Sequence, residues 1–341
     1  MTQLTTAERS KRNKCLQIMI FISGLIVAVF IISMNTGFTK LAPLDVIRTL
    51  LGSGTKAQSL ILFEFRMPRI LISILAGAGL AVSGCIIQSV TRSPLADPGI
   101  LGINAGAGLS IVLFISFFQS QQAVPVFMLP IVALIGAAAA AVLIYVLTLK
   151  RQQGFSSTRL LLTGIAVASG ISALMVILTL KFDPNQYQFV STWLAGTIWG
   201  SNWHFVLALL PWVLVIFSYV LYHTRTLDIL KLGESIAIGL GVPIEKNRRR
   251  LLLAAVALAA ACVAVSGGIG FIGLIAPHLA RRLVGAQHLK LLPVSALTGA
   301  LLLLAADTLG RWMLQPAELP AGIIVSVIGA PYFLYLLAHA K

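Results

Sequence analysis

The stretch LQIMIFISGLIVAVFIISM, residues 16–34, decides the fold class of this chain of 341 residues. It carries no charge and is close to the roughly 20 residues that a transmembrane helix needs. Arg9, Lys11, Arg12 and Lys14 precede it, and no small-residue cleavage site follows it. Because the apolar core of a secretory signal is usually about 7–15 residues long, we interpret residues 16–34 as a retained membrane span.

Similar apolar stretches recur along the whole chain. Hydrophobic residues make up 58% of the chain, charged residues 10%, and the mean hydropathy is +0.96. A soluble domain carries about 25% charged residues, so this composition excludes a cytosolic enzyme, a secreted disulfide scaffold and a disordered protein. We predict an all-α polytopic membrane protein with about ten transmembrane helices, at residues 16–34, 66–90, 95–118, 125–149, 158–180, 203–222, 249–267, 270–284, 291–310 and 320–339.

The distribution of Lys and Arg predicts the orientation. With ten spans and the N-terminus inside, eighteen of the 25 Lys and Arg lie on the cytoplasmic side and seven outside, as the positive-inside rule expects. Both termini are then cytoplasmic, with residues 1–15 as a tail and residues 16–341 as one ten-helix membrane domain. The net charge of +15 therefore reflects the flanks of spans, and we expect contact with membrane lipid but not with nucleic acid.

Recognisable enzyme motifs are missing from the sequence. It lacks a G-x-x-x-x-G-K-[ST] phosphate loop, its five His are scattered, and its three Cys have no metal or redox spacing. We therefore predict no catalytic residues, no metal site and no cofactor. A transporter or channel fits better, and a secondary carrier or a membrane assembly factor stays open as an alternative.

Polar residues near breaks in the spans are the candidate functional residues. Asp97, Asn104 and Asp307 lie close to span ends or breaks, and ionisable groups inside a membrane are costly and usually functional. The segments 95–118 and 270–284 are short or interrupted by glycine. Such breaks can line a functional cavity, or their small residues can serve close helix packing.

Three arginines depart from the general charge bias because they lie on the predicted outer side: Arg66, Arg69 and Arg311. Exposed arginines can bind acidic surfaces through paired hydrogen bonds, or they can anchor span ends at the lipid headgroups. On the cytoplasmic side, the loop 223–248 contains a predicted short helix ended by glycine and Pro243. That helix is either a docking surface for a soluble partner or a plain connector.

Four segments resemble the permease subunits of ABC importers for ferric siderophores, haem and vitamin B12. The similarity runs in order over residues 66–338, and Ser93 stands where the family usually has Asn. The segments are RMPR at 66–69 with LISILAGAGLAVSGCIIQSVTRSPLADPGILGINAGAG at 71–108, GESIA at 233–237 with LGV at 240–242, SGGIGFIGLIAPHLARRLVG at 266–285, and ADTLGR at 306–311 with ELPAG at 318–322 and GAPYF at 329–333.

This resemblance implies a multi-pass permease in the bacterial cytoplasmic membrane that works with a second permease subunit. Two cytoplasmic ABC ATPase subunits and an extracytoplasmic substrate-binding protein would complete the importer, and the cargo would be a ferric siderophore, with haem or vitamin B12 as alternatives.

The resemblance also implies roles for particular residues. Arg66, Arg69 and Arg311 would dock the binding protein. Loop 223–248 would couple to the ATPases through Leu232, Gly233, Glu234, Ser235, Ile236, Ala237, Leu240 and Gly241. We further expect a gate and translocation path formed by Ser156, Ser157, Thr158, Thr163, Gly164, Ser169, Gly170 and Ser172.

Overall fold

The computed structural model describes residues 6–37, 43–50, 52–117, 128–149, 156–198, 200–232, 237, 239, 243–314 and 317–338. Within these ranges the chain forms helices and turns without a strand. The α-helices are α1 (Thr6–Asn35), α2 (Pro43–Leu50), α3 (Lys56–Ser59), α4 (Met67–Thr91), α5 (Ile103–Phe117), α6 (Met128–Thr148), α7 (Ser157–Thr179), α8 (Pro184–Leu194), α9 (Trp203–Tyr222), α10 (Thr224–Leu232), α11 (Ile244–Ser266), α12 (Ile272–Val284), α13 (His288–Met313) and α14 (Ala321–Ala338).

The membrane spans agree with the hydropathy pattern. Seven helical stretches in the described part of the chain are long and apolar enough to cross a membrane: α1, α3 with α4, α6, α7, α9, α11 and α13. The other three predicted spans coincide with the shorter helices α5, α12 and α14. The prediction of an all-α polytopic membrane protein is confirmed.

Helix α4 lies at the centre of the bundle. It packs against α9, α11, α12 and α13, and almost all of its residues after Ala76 are buried. Two glycines make this packing possible, because a Cβ at Gly77 would lie 2.4 Å from the carbonyl oxygen of Gly299, and one at Gly84 would lie 1.9 Å from that of Gly273. Small residues at such crossings let helix backbones approach closely in membranes.

The two predicted breaks both occur. After α4, Asp97 caps a short 3-10 helix, Pro98–Leu101, and Gly102 then adopts a left-handed conformation (φ 70°) before α5 begins. Before α12, Gly267 and Phe271 both have positive φ. The breaks serve both of the purposes considered above. Gly273 allows close helix packing on α4, and Phe271 lines a cavity.

Helices α1, α6 and α7 leave broad apolar faces uncovered. On α7 the buried residues are Leu160, Gly164 and Met175, whereas Leu162 and Val176 are more than 60% exposed. Exposed apolar surface of this extent indicates contact with lipid or with another membrane subunit.

Candidate functional site

A charge cluster joins the first turn of α4 to the end of α13. The outer charge cluster consists of Arg66, Arg69, Asp307, Arg311 and Glu318. Nη2 of Arg69 lies 2.8 Å from Oδ1 of Asp307, and its Nη1 lies 2.7 Å from Oε2 of Glu318. Nε of Arg311 lies 3.2 Å from the second oxygen of Asp307. One buried carboxylate therefore holds two arginines from different helices.

The end of α1 completes this cluster with carbonyl groups. Arg311 donates to the carbonyl oxygens of Thr36, at 3.0 Å, and Ser33, at 3.3 Å, and Arg66 donates to that of Met34. The last carbonyls of a helix have no partner within it and carry partial negative charge, which suits a cation. The arginines thus fix α1 to α4 and α13.

The burial of these arginines differs from the sequence-based expectation. Arg66 is 6% exposed and Arg311 is 3% exposed, and the side chain of Arg69 is 12% exposed. The expectation that they are freely exposed is wrong, because long-range partners that sequence spacing does not reveal enclose them. Glu318, at 36% side-chain exposure, is the most accessible member of the cluster, and it was not among the predicted docking residues.

A cavity of about 630 Å³ opens where the two chain breaks meet α5, α7 and α14. Its polar lining is Asp97, Asn104, Ser169 and Ser172, and Phe271 and Phe333 contribute aromatic surface. The second carboxylate oxygen of Asp97 accepts a 2.9 Å hydrogen bond from the backbone N–H of Gly99. The side-chain amide of Asn104 donates to the carbonyl oxygen of Ile269, at 3.4 Å. Both polar groups therefore hold the irregular backbone that shapes the cavity.

The predicted path residues on α7 separate into two groups. Ser169 and Ser172 line the cavity, and Gly170 is exposed with open space around its Cα. Gly164 is instead buried, and a Cβ there would lie 1.9 Å from the carbonyl oxygen of Ile100. The prediction that Gly164 lines the path is corrected, since this glycine packs α7 against the 3-10 helix.

The remaining path and gate residues lie towards the start of α7. Ser156 caps the helix by accepting from the backbone N–H of Arg159, at 3.4 Å. Ser157 and Thr163 are partly buried, and Thr158 is exposed. None of these four is among the residues that line the cavity, and their gating role stays a prediction.

Most of the predicted coupling segment lies outside the described residues. This applies to Gly233, Glu234, Ser235, Ile236, Leu240 and Gly241, whereas Leu232 is exposed at the end of α10 and Ala237 is buried. Helix α10 precedes this segment and contacts α4 and α13. Partial burial and the nearby Arg281 guanidinium lower the pKa of Lys231 on α10.

One contact of α10 was missed by sequence reasoning. Oδ1 of Asp228 lies 2.5 Å from Nδ1 of His288, the first residue of α13. A carboxylate and a histidine sixty residues apart form no recognisable sequence motif. The position of the histidine, at the first residue of a helix after a polar loop, is only a weak indication of such a contact.

The comparisons with known proteins agree with this architecture. Residues 25–339 match the FecCD transport family. The chain is 52% identical over 337 residues to the iron(3+)-hydroxamate import system permease protein FhuG of Bacillus subtilis, covering 98% of this chain and 100% of the relative. It is 40% identical to the hemin transport system permease protein HmuU of Yersinia pestis, covering 94% and 95% of the two chains.

A solved structure shows the same fold. It is described as the inward-facing conformation of a metal-chelate type ABC transporter, and it matches with a TM-score of 0.81 at 32% identity. The match covers 94% of this chain and 99% of the solved chain. The family match and the full-length relatives together show that this chain belongs to the FecCD transport family.

Proposed function

We propose that this chain is the permease subunit of an ATP-driven importer of ferric siderophores, with hydroxamate siderophores as the cargo class. The observation that carries the proposal is the 52% identity over nearly the whole chain to a permease for iron(3+)-hydroxamate import. Haem is the second candidate cargo, favoured by the 40% identity to a hemin permease.

The cavity supports a transport role because its lining is mixed and weakly polar. Side chains of Ser169 and Ser172 offer hydroxyl groups, and Phe271 and Phe333 offer apolar surface. A path for a bulky chelate must bind it weakly enough to release it. The Asp97 carboxylate in the lining favours a cavity that holds water or cargo over one filled by lipid, because charge in lipid is costly.

The exposed face of α7 supports a second permease subunit. This face carries large apolar side chains, among them Leu162, Ile165 and Val176, and it continues into the cavity through Ser169 and Ser172. A paired subunit on this face would close the cavity from the lipid and complete a path between the two chains.

The two ends of the bundle would receive the remaining partners. We place the two ATPase subunits at loop 223–248, which includes α10 and the first residues of α11, and the substrate-binding protein at the outer charge cluster. Domain boundaries at residues 15 and 16 and cytoplasmic placement of both termini belong to the same proposal. Glu318 and Arg69 would be the first members of the cluster to meet the binding protein. Glu318 would contact its basic groups, and Arg69 would contact its acidic groups.

The test is uptake of radioactive iron by cells that lack this chain and by cells that regain it. Four chelates are compared: a ferric hydroxamate, a ferric catecholate, ferric citrate and haem. Restored uptake of the hydroxamate, abolished when the ATP supply is removed, is the expected result. Restored haem uptake alone would favour the second cargo, and uptake that persists on a proton gradient without ATP would refute the ABC mechanism.

A further inference from the structure

A buried hydrogen-bond chain connects α10 to two membrane helices. We call it the inner hydrogen-bond chain, formed by Asp228 on α10, His288 on α13 and Ser89 on α4. Oδ1 of Asp228 accepts from the backbone N–H of His288, at 3.1 Å, and from its ring Nδ1–H, at 2.5 Å. The other ring nitrogen, Nε2, lies 2.6 Å from Oγ of Ser89.

The burial of this chain makes each contact costly to lose. His288 is 0% exposed and Ser89 is 3% exposed, while the Asp228 side chain reaches the surface at 38% exposure. With a proton on Nδ1, the ring faces the Ser89 hydroxyl with Nε2, and the hydroxyl hydrogen is shared between Nε2 and the carbonyl oxygen of Cys85, which lies 2.7 Å from Oγ. Both ring nitrogens are satisfied, so removing one partner leaves a buried polar group unpaired.

Further contacts hold α10 against the same helices. Arg92, at the end of α4, donates from Nε to the carbonyl oxygen of Leu230, at 3.1 Å. Leu227 is 0% exposed and Leu230 is 2% exposed. Apolar packing therefore keeps α10 in place, whereas Asp228 supplies the directional contact to the first residue of α13.

Helices α4 and α13 are joined at both of their ends. Ser89 and His288 meet at the α10 end, and Arg69 and Asp307 form the ion pair at the other end. At a rise of 1.5 Å per residue, the two junctions are about 30 Å apart, which is the thickness of the bilayer core. Between them, Gly77 brings the two backbones into contact at Gly299.

We propose that Asp228 and His288 are positioning residues through which displacement of α10 moves α4 and α13 as one unit. This rests on the proposed function, in which the ATPases act on loop 223–248. The α4–α13 pair carries the outer charge cluster at its far end. The same unit would therefore transmit the effect of binding-protein docking to the ATPases. Such coupling is reciprocal, since each site must shift the other by the same factor.

The test uses the assembled importer in lipid vesicles, and measures ATP hydrolysis, its stimulation by the cargo-loaded binding protein, and cargo uptake. Asp228→Ala removes the acceptor of both bonds from His288. Asp228→Asn keeps an acceptor oxygen in the same place and serves as the conservative rescue. Ser295→Ala is the matched control, because Ser295 is also buried on α13 but is not a member of the inner hydrogen-bond chain.

We expect Asp228→Ala to lower both stimulation by the binding protein and cargo moved per ATP by about fivefold or more, the lower end of usual coupling between sites. Asp228→Asn and Ser295→Ala should stay within about twofold of the wild type. A second measurement combines Asp228→Ala with Ser89→Ala, and the two effects should be less than additive because the residues share His288.

Two outcomes would overturn the inference. If Asp228→Ala assembles and keeps the wild-type ratio of cargo to ATP, the chain is structural only. If Asp228→Ala does not assemble, Ser89→Ala is decisive, and an unchanged ratio in that milder variant refutes the link. Absence of ATP-dependent uptake in the wild type is a different result, since it refutes the proposed function itself and the coupling role with it.

Discussion

Replacement of Asp307 by Ala tests whether the outer charge cluster holds the bundle together. Asp307 is 1% exposed and faces Arg69 at 2.8 Å and Arg311 at 3.2 Å. Removing one member of a buried ion pair costs about 3–5 kcal/mol, because the remaining charge is left buried without compensation. The variant Asp307→Ala should therefore reduce the free energy of unfolding substantially.

The structure places the expected loss at the lower end of this range. Arg69 keeps its 2.7 Å contact with Glu318, and Arg311 keeps the carbonyl oxygen of Thr36 at 3.0 Å. Each arginine thus retains at least one partner when Asp307 is removed. We expect a loss of about 3 kcal/mol, which corresponds to roughly a hundredfold change in the folding equilibrium.

Unfolding by sodium dodecyl sulfate in mixed micelles, followed by tryptophan fluorescence, measures this loss. Glu318→Ala is the matched control, because it removes the other carboxylate bound to Arg69 but at a site that is 36% exposed. Exposed pairs contribute about 0–1 kcal/mol. If Asp307→Ala proved no more destabilising than Glu318→Ala, the structural role assigned to the buried carboxylate would be refuted.

Three further variants test the packing and the cavity. Gly84→Ala should prevent accumulation of folded protein, since its Cβ would lie 1.9 Å from a carbonyl oxygen of α12, whereas Gly24→Ala, with open space around it, should be neutral in the same yield assay. Ser83→Ala should cost about 1 kcal/mol in detergent unfolding, because its hydroxyl donates a 2.7 Å bond to a carbonyl oxygen of α11. Ser169→Cys should react with a charged thiol reagent in the assembled importer, whereas native Cys262, at 0% exposure, should not.

Contrary results would have definite meanings. Equal yields of the two glycine variants would show that α4 and α12 do not cross at this distance. An unlabelled cysteine at position 169 in a functional importer would show that water does not reach the cavity from either side.

Hydropathy predicted the spans because a helix inside the membrane is apolar whether its side chains meet lipid or, as on α4, other helices. It did not predict helical extensions beyond the membrane. Helix α1 begins at Thr6, well before the predicted start at residue 16, and α3 precedes α4 through a π-helix, Leu60–Arg66. The first turns of α1 and the whole of α3 (KAQS) are polar or charged, so they carry no hydropathy signal although their backbone is helical. The π-helix LILFEFR is mostly apolar, but Glu64 and Arg66 interrupt it just before the predicted span.

The breaks in the spans were predictable for a local reason. Pro98 fixes the backbone at the start of the 3-10 helix, and Gly102 supplies the left-handed turn that follows. Phe271 was not predictable in this way, since a left-handed conformation is unusual for an aromatic residue. Its φ of 65° is imposed by the surrounding packing, where its ring lies against Gly329.

The candidate site could be predicted only in part, because its decisive contacts are long-range. The sequence places Arg69 near the start of a span, but its ion pair with Asp307 joins residues 238 positions apart. The contact of Asp228 with His288 crosses 60 positions. Local periodicity contains no information about such pairs. The sequence therefore indicated the residue types and the positions of the motifs, but it did not predict which side chains are buried or which partners they contact.

Burial of the outer arginines is compatible with their proposed docking role. A guanidinium with no partner in so enclosed a place would be costly, so the permease satisfies these groups internally, and a binding protein that docks as proposed would have to replace one of the internal partners. Glu318 can do this for Arg69 because it is accessible: an incoming carboxylate can replace it while the charge balance around Arg69 is preserved. Asp307 cannot be replaced in this way, since it is enclosed between both arginines. In the proposed docking role, the cluster would therefore combine one fixed carboxylate, which holds α4 to α13, with one surface carboxylate that a partner's carboxylate replaces, and the two roles would not compete for the same atom.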